Sequence, residues 1–258
     1  MEHFDDSVKR DFPEHNTPND IEAALDTLHK LKVAECDGLA LSPVSKLPAQ
    51  VFILLQAGLR RTIELTEAAI REVNHRHMVT SALLARGTLE TSCLLWDVMR
   101  QVESVVEKDD TAHVKELLET LSKSLLGSKA KDMMVDESIV ARNVLTIIER
   151  LSKKLSVPLE GFYSRLSEFA HPNYHGMMAT YTQEGFDAAT KVFCDCRNTS
   201  ERALLLSALG ALATSCSIVI ESFRIAAARL EAAAVLAEKE IHERGTWPPD
   251  EPYPVNRP

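Results

Sequence analysis

Residues 163 to 176, YSRLSEFAHPNYHG, bring together the side-chain types that can act on a phosphodiester. Histidine exchanges a proton near neutral pH, and arginine holds a phosphate through two parallel hydrogen bonds. Arg165 and His171 therefore meet the minimum requirement of a ribonuclease that uses no metal ion, namely a group that moves a proton and a cation that stabilises charge on phosphorus. A histidine before a proline is also typical of a helix end, so a structural role for this pair stays open.

The helix that must carry this stretch is predicted to run from about residue 159 to residue 170. It ends there because the residue before Pro172 disfavours helical geometry. Arg165 and Glu168 are three residues apart and are expected to pair. Arg165 and His171 would lie about 120° apart around an uninterrupted helix, so they converge on one ligand only if the helix unwinds near Pro172.

Other polar side chains near the pair are candidate substrate contacts. They are Ser167, Glu168, Asn173, Tyr174 and His175, of which Tyr174 can stack on a base. Arg86 and Glu90 are four residues apart in an earlier helical stretch and therefore share one face. A structural ion pair is the ordinary interpretation of these two, and a polar site that faces residues 163 to 176 is the alternative.

Composition favours an all-α protein. Apolar residues make up 45% of the chain, aromatic residues only 5%, and glycine occurs nine times in 258 residues. The formal net charge of −9 argues against a protein that is coated with nucleic acid through overall positive charge. The stretch from Lys123 to Lys154 is locally basic, which typically indicates solvated helix faces but leaves a basic groove open.

Cysteine usage and the missing motifs limit the chemistry further. Five scattered cysteines suit a reducing cytoplasm, and the Cys194 and Cys196 pair is too small a signal for zinc. There is no P-loop and no H-E-x-x-H motif, so no metal and no cofactor are expected. We expect a cytoplasmic protein without a membrane partner, because residues 1–16 do not resemble a signal peptide and residues 203–220 are interrupted by small polar side chains.

The chain is predicted to form one all-helical domain over residues 18–244, between a frayed or disordered N-terminus (1–17) and a proline-rich tail (245–258). Two long helices should follow Pro48, with a break within residues 74–81 and a cap at Thr80 or Ser81. The remaining boundaries follow from caps and turn residues. Helices are expected from Thr111 to a left-handed cap at Gly127, from Ser138 to Leu155, and from about Ser200 to Glu243.

Arg165 and His171, spaced R-x5-H near the end of a late helix, resemble the R-x(4-6)-H motif of the HEPN superfamily. The stretch YSRLSEFAHPN is similar to the motif region of HEPN-like proteins, and the resemblance covers about residues 50 to 225. It implies a HEPN-like bundle of long antiparallel helices. Leu166 stands where active members commonly carry Asn or Asp directly after the arginine.

The resemblance also implies a function. It implies an RNA endonuclease that cleaves by internal attack of the 2′-hydroxyl without a metal, with His171 as general acid or base and Arg165 as the phosphate holder. It implies a homodimer that brings two motifs together, and a role in bacterial toxin or anti-phage defence systems with an antitoxin or a defence-system partner. The alternative is a non-catalytic helical module for binding or dimerisation, in which the R-x5-H motif is structural.

Overall fold

The computed structural model describes residues 2–11, 17–130, 132, 139–186, 190–193 and 200–244. The protein is 79% helical, and its only described sheet has two short strands, so the predicted all-α class is confirmed. In chain order the helices are α1 (Asp6–Asp11), α2 (Thr17–Lys30), α3 (Gly38–Leu41), α4 (Leu47–Asn74), α5 (Met78–Glu107), α6 (Val114–Leu126), α7 (Val144–Leu155), α8 (Leu159–Ala170), α9 (Ala179–Tyr181) and α10 (Ser200–Glu243).

Smaller elements connect these helices. A 3₁₀ turn (Thr111–His113) leads into α6, and a π-helical segment (Tyr174–Met178) leads into α9. Strands β1 (Thr182–Glu184) and β2 (Lys191–Phe193) pair antiparallel, with Thr182 opposite Phe193. Both strands lie in the connection between α8 and α10. The sequence predicts turns and one short helix there, because strands of three residues are too short to give a strand pattern.

The chain divides into two compact units. The first contains Met1–Leu31, Leu59–Cys93 and Val144–Ile220, and the second contains Lys32–Gly58, Leu94–Asn143 and Glu221–Pro258. Three of the five boundaries fall inside α4, α5 and α10, and the other two fall between α2 and α3 and directly before α7. No change in composition marks them, which is why the sequence predicts one domain over residues 18–244.

Each unit is a helical bundle with its own apolar core. In the first unit three apolar side chains of α2 are fully buried, and α4, α5, α7, α8 and α10 add further apolar side chains. These core residues include Ile21, Leu25, Leu28, Leu59, Ile70, Leu89, Leu151, Leu159, Leu166, Leu205 and Leu212. The core of the second unit includes Leu47, Val51, Leu55, Leu95, Met99, Val102, Leu117, Leu121 and Leu236.

Helix α10 carries the most apolar stretch of the chain. Residues Arg202–Glu243 contain an 18-residue window of mean hydropathy 2.1, so this helix could cross a membrane by length and composition. However, 61% of that window is buried inside the protein, as in the core helix of a soluble protein. Leu204, Leu209 and Val219 are among its buried side chains, in agreement with the predicted buried helix. A cytoplasmic location stays a prediction.

The predicted break between α4 and α5 is present but shorter than expected. Arg76 adopts a left-handed conformation with φ of 62°, which ends α4, and α5 begins two residues later at Met78. Thr80 and Ser81 therefore lie inside α5, and the prediction that one of them caps this helix is wrong. The Ser81 hydroxyl instead donates to the Met78 carbonyl, one turn earlier.

The segment between α6 and α7 also differs from the prediction. Gly127 has φ of −69° and ψ of 134°, so it is not a left-handed cap. A Cβ atom at residue 127 would lie 2.4 Å from the Lys123 carbonyl oxygen and 2.7 Å from the Ala141 Cα. Glycine is needed here because these two backbone segments approach too closely for a side chain. Because Val140 pairs with Ser128 in a parallel bridge, this stretch is extended, and α7 begins at Val144 rather than Ser138.

The N-terminal region contains more order than its composition predicts. Residues 6–11 form α1, and Phe4 and Val8 are buried. Glu22 of α2 anchors this segment by accepting from the Phe4 amide at 2.8 Å and from the Lys9 ammonium at 3.0 Å. The predicted tail (245–258) and the Cys194 and Cys196 pair lie outside the described residues.

The anchoring by Glu22 is expected to depend on pH. Burial alone would raise the pKa of the Glu22 carboxyl, but hydrogen bonds from Lys9, the Phe4 amide and His3 outweigh it, so the pKa is lowered. A lowered pKa means that the contact contributes stability above the unfolded-state pKa and loses it as the pH falls through the folded-state pKa. We expect the Phe4 amide resonance in NMR to titrate with a midpoint below 4.5.

The matched control for this titration is Asp26→Asn, at an exposed position of the same helix, which should leave the Phe4 titration unchanged. Glu22→Gln should remove it and raise hydrogen exchange in residues 6–11. A Phe4 titration that persists in Glu22→Gln would show that Glu22 does not anchor the segment.

Candidate functional site

An open groove beside α8 contains Arg165. Its volume is about 430 Å³, and its lining includes Ser164, Arg165, Glu168 and Phe169 of α8, His175 of the π-helical segment and Ala203 of α10. We call it the Arg165 groove. All of these residues belong to the first unit.

Helix α8 turns Arg165 outward because Leu159 and Leu166 occupy its buried side, with Phe169 at the edge of the groove. Leu159, Leu166 and Phe169 are buried, whereas Ser164 and Arg165 are exposed. The predicted bounds of α8 are confirmed, with Pro158 at its start and Ala170 as its last residue. The groove therefore follows from the 3.6-residue periodicity of a helix with one apolar face.

The Arg165 guanidinium has no hydrogen-bond or ion-pair partner within the described ranges. The predicted pair between Arg165 and Glu168 is not formed. Glu168 accepts instead from the Asn173 side-chain amide, at 2.9 Å between Nδ2 and Oε2. This bond directs one carboxylate oxygen to Asn173, so Arg165 and Glu168 line the same groove without forming an ion pair.

His171 lies at the C-terminal cap of α8. Its backbone is extended, with φ of −89° and ψ of 147°, and its N–H donates to the Ser167 carbonyl at 3.1 Å. The side chain is exposed, and no described residue bonds its ring. The helix ends before Pro172 as predicted, but His171 is not among the residues that line the Arg165 groove.

The chain folds back on α8 after Pro172. The Asn173 side-chain oxygen accepts from the Gly176 amide at 2.9 Å and caps the π-helical segment. A side chain at residue 176 would come within 2.0 Å of the His171 carbonyl oxygen and 2.8 Å of the Phe169 carbonyl oxygen. Only glycine fits this close approach without a shift of the backbone.

This fold-back places His175 in the groove. Its ring lies 5.8 Å from the Phe169 ring, at 47°, and 5.4 Å from the Tyr174 ring, edge to face at 79°. Its carbonyl oxygen accepts from the Thr180 hydroxyl at 2.6 Å. The hydrogen bond positions the backbone of His175 and its ring contacts two others, but His175 is exposed, and so is Tyr174 at 69%.

Arg86 and Glu90 form an ion pair, with 3.1 Å between Nε and Oε1. Arg86 also donates to the Tyr163 hydroxyl at 2.7 Å, and its guanidinium carbon lies 4.8 Å from the centroid of the Tyr163 ring. The pair therefore contacts the 163–176 stretch through Tyr163, as a structural ion pair. Arg86 and Glu90 lie against the side of α8 that carries Tyr163, and neither of them lines the Arg165 groove.

The Tyr163 side chain is the uncharged member of this contact. Burial raises the pKa of its phenol, and the nearby Glu90 carboxylate raises it further, against the smaller opposing effect of Arg86.

One turn later, the Ser167 hydroxyl is buried and has no hydrogen-bond partner in the described part of the chain. Ser167 therefore lies away from the groove, and its predicted role as a substrate contact has no geometric support.

Comparisons with protein-family models, with curated proteins and with solved structures found no match. The description of the site therefore rests on its own geometry. Of the sequence candidates, Arg165, Glu168 and His175 share the groove, and Asn173 and Tyr174 border it. Among the described residues no group of three or more His, Cys, Asp or Glu side chains is arranged to hold a metal ion.

The contact around Tyr163 predicts a stability effect. Tyr163→Phe keeps the ring over the Arg86 guanidinium and removes only the hydroxyl, so we expect a loss of about 1 kcal/mol in the free energy of unfolding. Chemical denaturation measures this directly. The control is Tyr174→Phe, because that hydroxyl is exposed and has no described partner, and it should change stability by less than about 0.5 kcal/mol.

Equal stabilities of the two variants would show that the hydrogen bonds of Tyr163 do not hold α8 to α5. A much larger loss in Tyr163→Phe would show that the hydroxyl is needed to keep the Arg86 and Glu90 pair together.

Proposed function

We propose that this protein is a HEPN-like endoribonuclease that cleaves RNA without a metal ion. The observation that carries the proposal is the Arg165 groove, whose lining contains both an arginine without a described partner and a histidine whose ring contacts those of Phe169 and Tyr174. Such an arginine binds a phosphate through two hydrogen bonds, and a histidine moves a proton near neutral pH.

The groove supports one chemical step. The proton of the ribose 2′-hydroxyl passes to histidine, the 2′-oxygen attacks phosphorus, and the bond from phosphorus to the 5′-oxygen breaks. The products are a 2′,3′-cyclic phosphate and a 5′-hydroxyl, whose oxygen takes its proton from water or a second acid. Arg165 stabilises the charge that develops on the phosphoryl oxygens.

Two histidines are candidates for the proton-transfer role. The family resemblance assigns it to His171, whereas the groove contains His175. We assign the role to His175, because it lines the groove together with Arg165 and His171 does not. His171 would serve only in a different arrangement of the helix end, such as one in which two copies of the motif meet.

A homodimer belongs to this proposal, as does a role in bacterial toxin or anti-phage defence with an antitoxin or another defence partner. Both come from the resemblance. Light scattering of the purified protein measures the oligomeric mass. Induced expression in a bacterial host should slow growth in the wild type and not in His175→Ala.

A non-catalytic binding module is the second candidate. It is favoured by Leu166, which is fully buried in the core, so the position after the arginine cannot supply a polar group to the groove. In that case the groove binds an anion without cleaving it.

The deciding experiment incubates total RNA and tRNA with the purified full chain in EDTA. We expect cleavage that leaves 2′,3′-cyclic phosphate ends, and a loss of about a hundredfold or more in rate for His175→Ala, the usual contribution of a positioned proton-transfer group. Arg165→Lys should also lose activity, because lysine keeps the charge but not the paired hydrogen bonds.

The matched control is His242→Ala, an exposed histidine on α10 outside the groove, which should cleave like the wild type. Loss of activity in His171→Ala with full activity in His175→Ala would reverse the assignment of the two histidines. Absence of cleavage by a folded wild type would contradict the nuclease and favour the binding module.

A further inference from the structure

A second groove lies within the second unit. Its volume is about 550 Å³, and it is lined by α10 from Phe223 to Glu238 and by residues of α3 and α4. All of its described lining residues belong to that unit. We call it the α10 groove.

The lining of the α10 groove is mainly apolar. Phe52 and Leu55 of α4 face Phe223 and Leu230 of α10 across it, and three alanines of α10 keep it open. Val235 at its edge is 62% exposed, more than any other large apolar side chain in the described α-helices. Fifteen residues separate the two ends of the α10 side, so the groove runs for about 22 Å along that helix.

The charge of the α10 groove has one sign. Glu231 and Glu238 are the only charged side chains among its described lining residues. The buried Ser42 hydroxyl donates to Oε1 of Glu238 at 2.8 Å and so positions that carboxylate. Glu231 is exposed and has no hydrogen-bond or ion-pair partner within the described ranges.

Nearby carboxylates, in contrast, are paired within the chain. Arg229 pairs with Glu107 at 3.1 Å, and Lys239 pairs with Asp109 at 3.3 Å. Both cations lie on α10, on either side of Glu231 in the sequence, yet neither bonds it. A cation for Glu231 therefore has to come from a partner.

The spacing of the two carboxylates indicates the form of that partner. Glu231 and Glu238 are seven residues apart, which is two helical turns or about 10.5 Å along one face of α10. A second helix laid along the groove matches this spacing with two basic residues that are also seven apart. Apolar residues three and four positions after the first basic residue then face the apolar lining between the carboxylates.

We propose that the α10 groove binds a basic amphipathic helix of a protein partner, with lysine or arginine side chains of that helix against Glu231 and Glu238. The inference goes beyond the proposed function, because it uses no residue of the Arg165 groove and holds whether or not the protein cleaves RNA.

The test measures the fluorescence anisotropy of a labelled helical peptide of about 15 residues, the length that matches the groove. The peptide carries two lysines seven residues apart and leucines at the third and fourth positions after the first lysine. We expect the full chain to bind it with saturation. A peptide of the same composition, in an order without an apolar face, should bind about tenfold or more weakly.

Glu231→Lys should weaken binding of the first peptide about tenfold or more, because like charges then meet in the groove. Two further peptides each replace one of the lysines by glutamate, and one of them should regain affinity for Glu231→Lys. Ala227→Trp should also weaken binding, because the larger side chain fills part of the groove. The matched control is Glu119→Lys, at an exposed position of α6 in the same unit, which should bind like the wild type.

Three results would overturn the inference. They are wild-type affinity in the double variant Ala227→Trp/Glu231→Lys, equal affinity of the wild type for the two peptides of the same composition, and failure of the wild type to bind either of them.

Two other results would assign the groove to a different occupant. A mass of two chains in light scattering that falls to one in Glu231→Lys would assign it to a second copy. Binding of the peptide only by a chain shortened to residue 245 would assign it to the C-terminal segment of the same chain.

Discussion

Gly176 lies against the carbonyl oxygens of Phe169 and His171, where a side chain cannot fit. This close approach folds the π-helical segment back on the end of α8. As a result His175, which follows α8 by five residues, returns to the level of Arg165, which lies five residues before its end. The histidine and the arginine line the same groove because the backbone reverses direction there, and the hydrogen bond that the Gly176 amide donates to Asn173 stabilises the reversal.

The same turn determines the charge of the groove. Asn173 uses its side-chain oxygen to cap the π-helical segment and its side-chain nitrogen to bond Glu168. Because the carboxylate of Glu168 is engaged in this way, it does not pair with the guanidinium one turn earlier. On the other side of α8, Tyr163 meets Arg86 and Glu90 in a contact that is neutral overall. One flank of this helix is therefore structural, and the other presents the Arg165 guanidinium and the Glu168 carboxylate in the groove.

Much of this could be predicted from the sequence. Proline residues at 158 and 172 define α8 to the residue, and the long proline-free stretches predict α4, α5 and α10. The remaining differences arise from tertiary contacts that have no local signature. The conformation of Arg76, the extended stretch around Val140 and the two three-residue strands depend on such contacts. Which histidine lines the groove also depends on a tertiary contact. The motif spacing favours His171, but it does not tell where the chain turns back and brings His175 to the groove.

The central claim is that Arg165 and His175 hold one phosphodiester between them. The most direct measurement follows the histidine ring resonances by NMR during titration with a 2′-O-methylated dinucleotide, in the wild type and in Arg165→Gln. The account predicts that the His175 resonances shift in the wild type, that His171 shifts little, and that Arg165→Gln abolishes the effect. Shifts confined to His171, or equal shifts of His175 in both proteins, would contradict it.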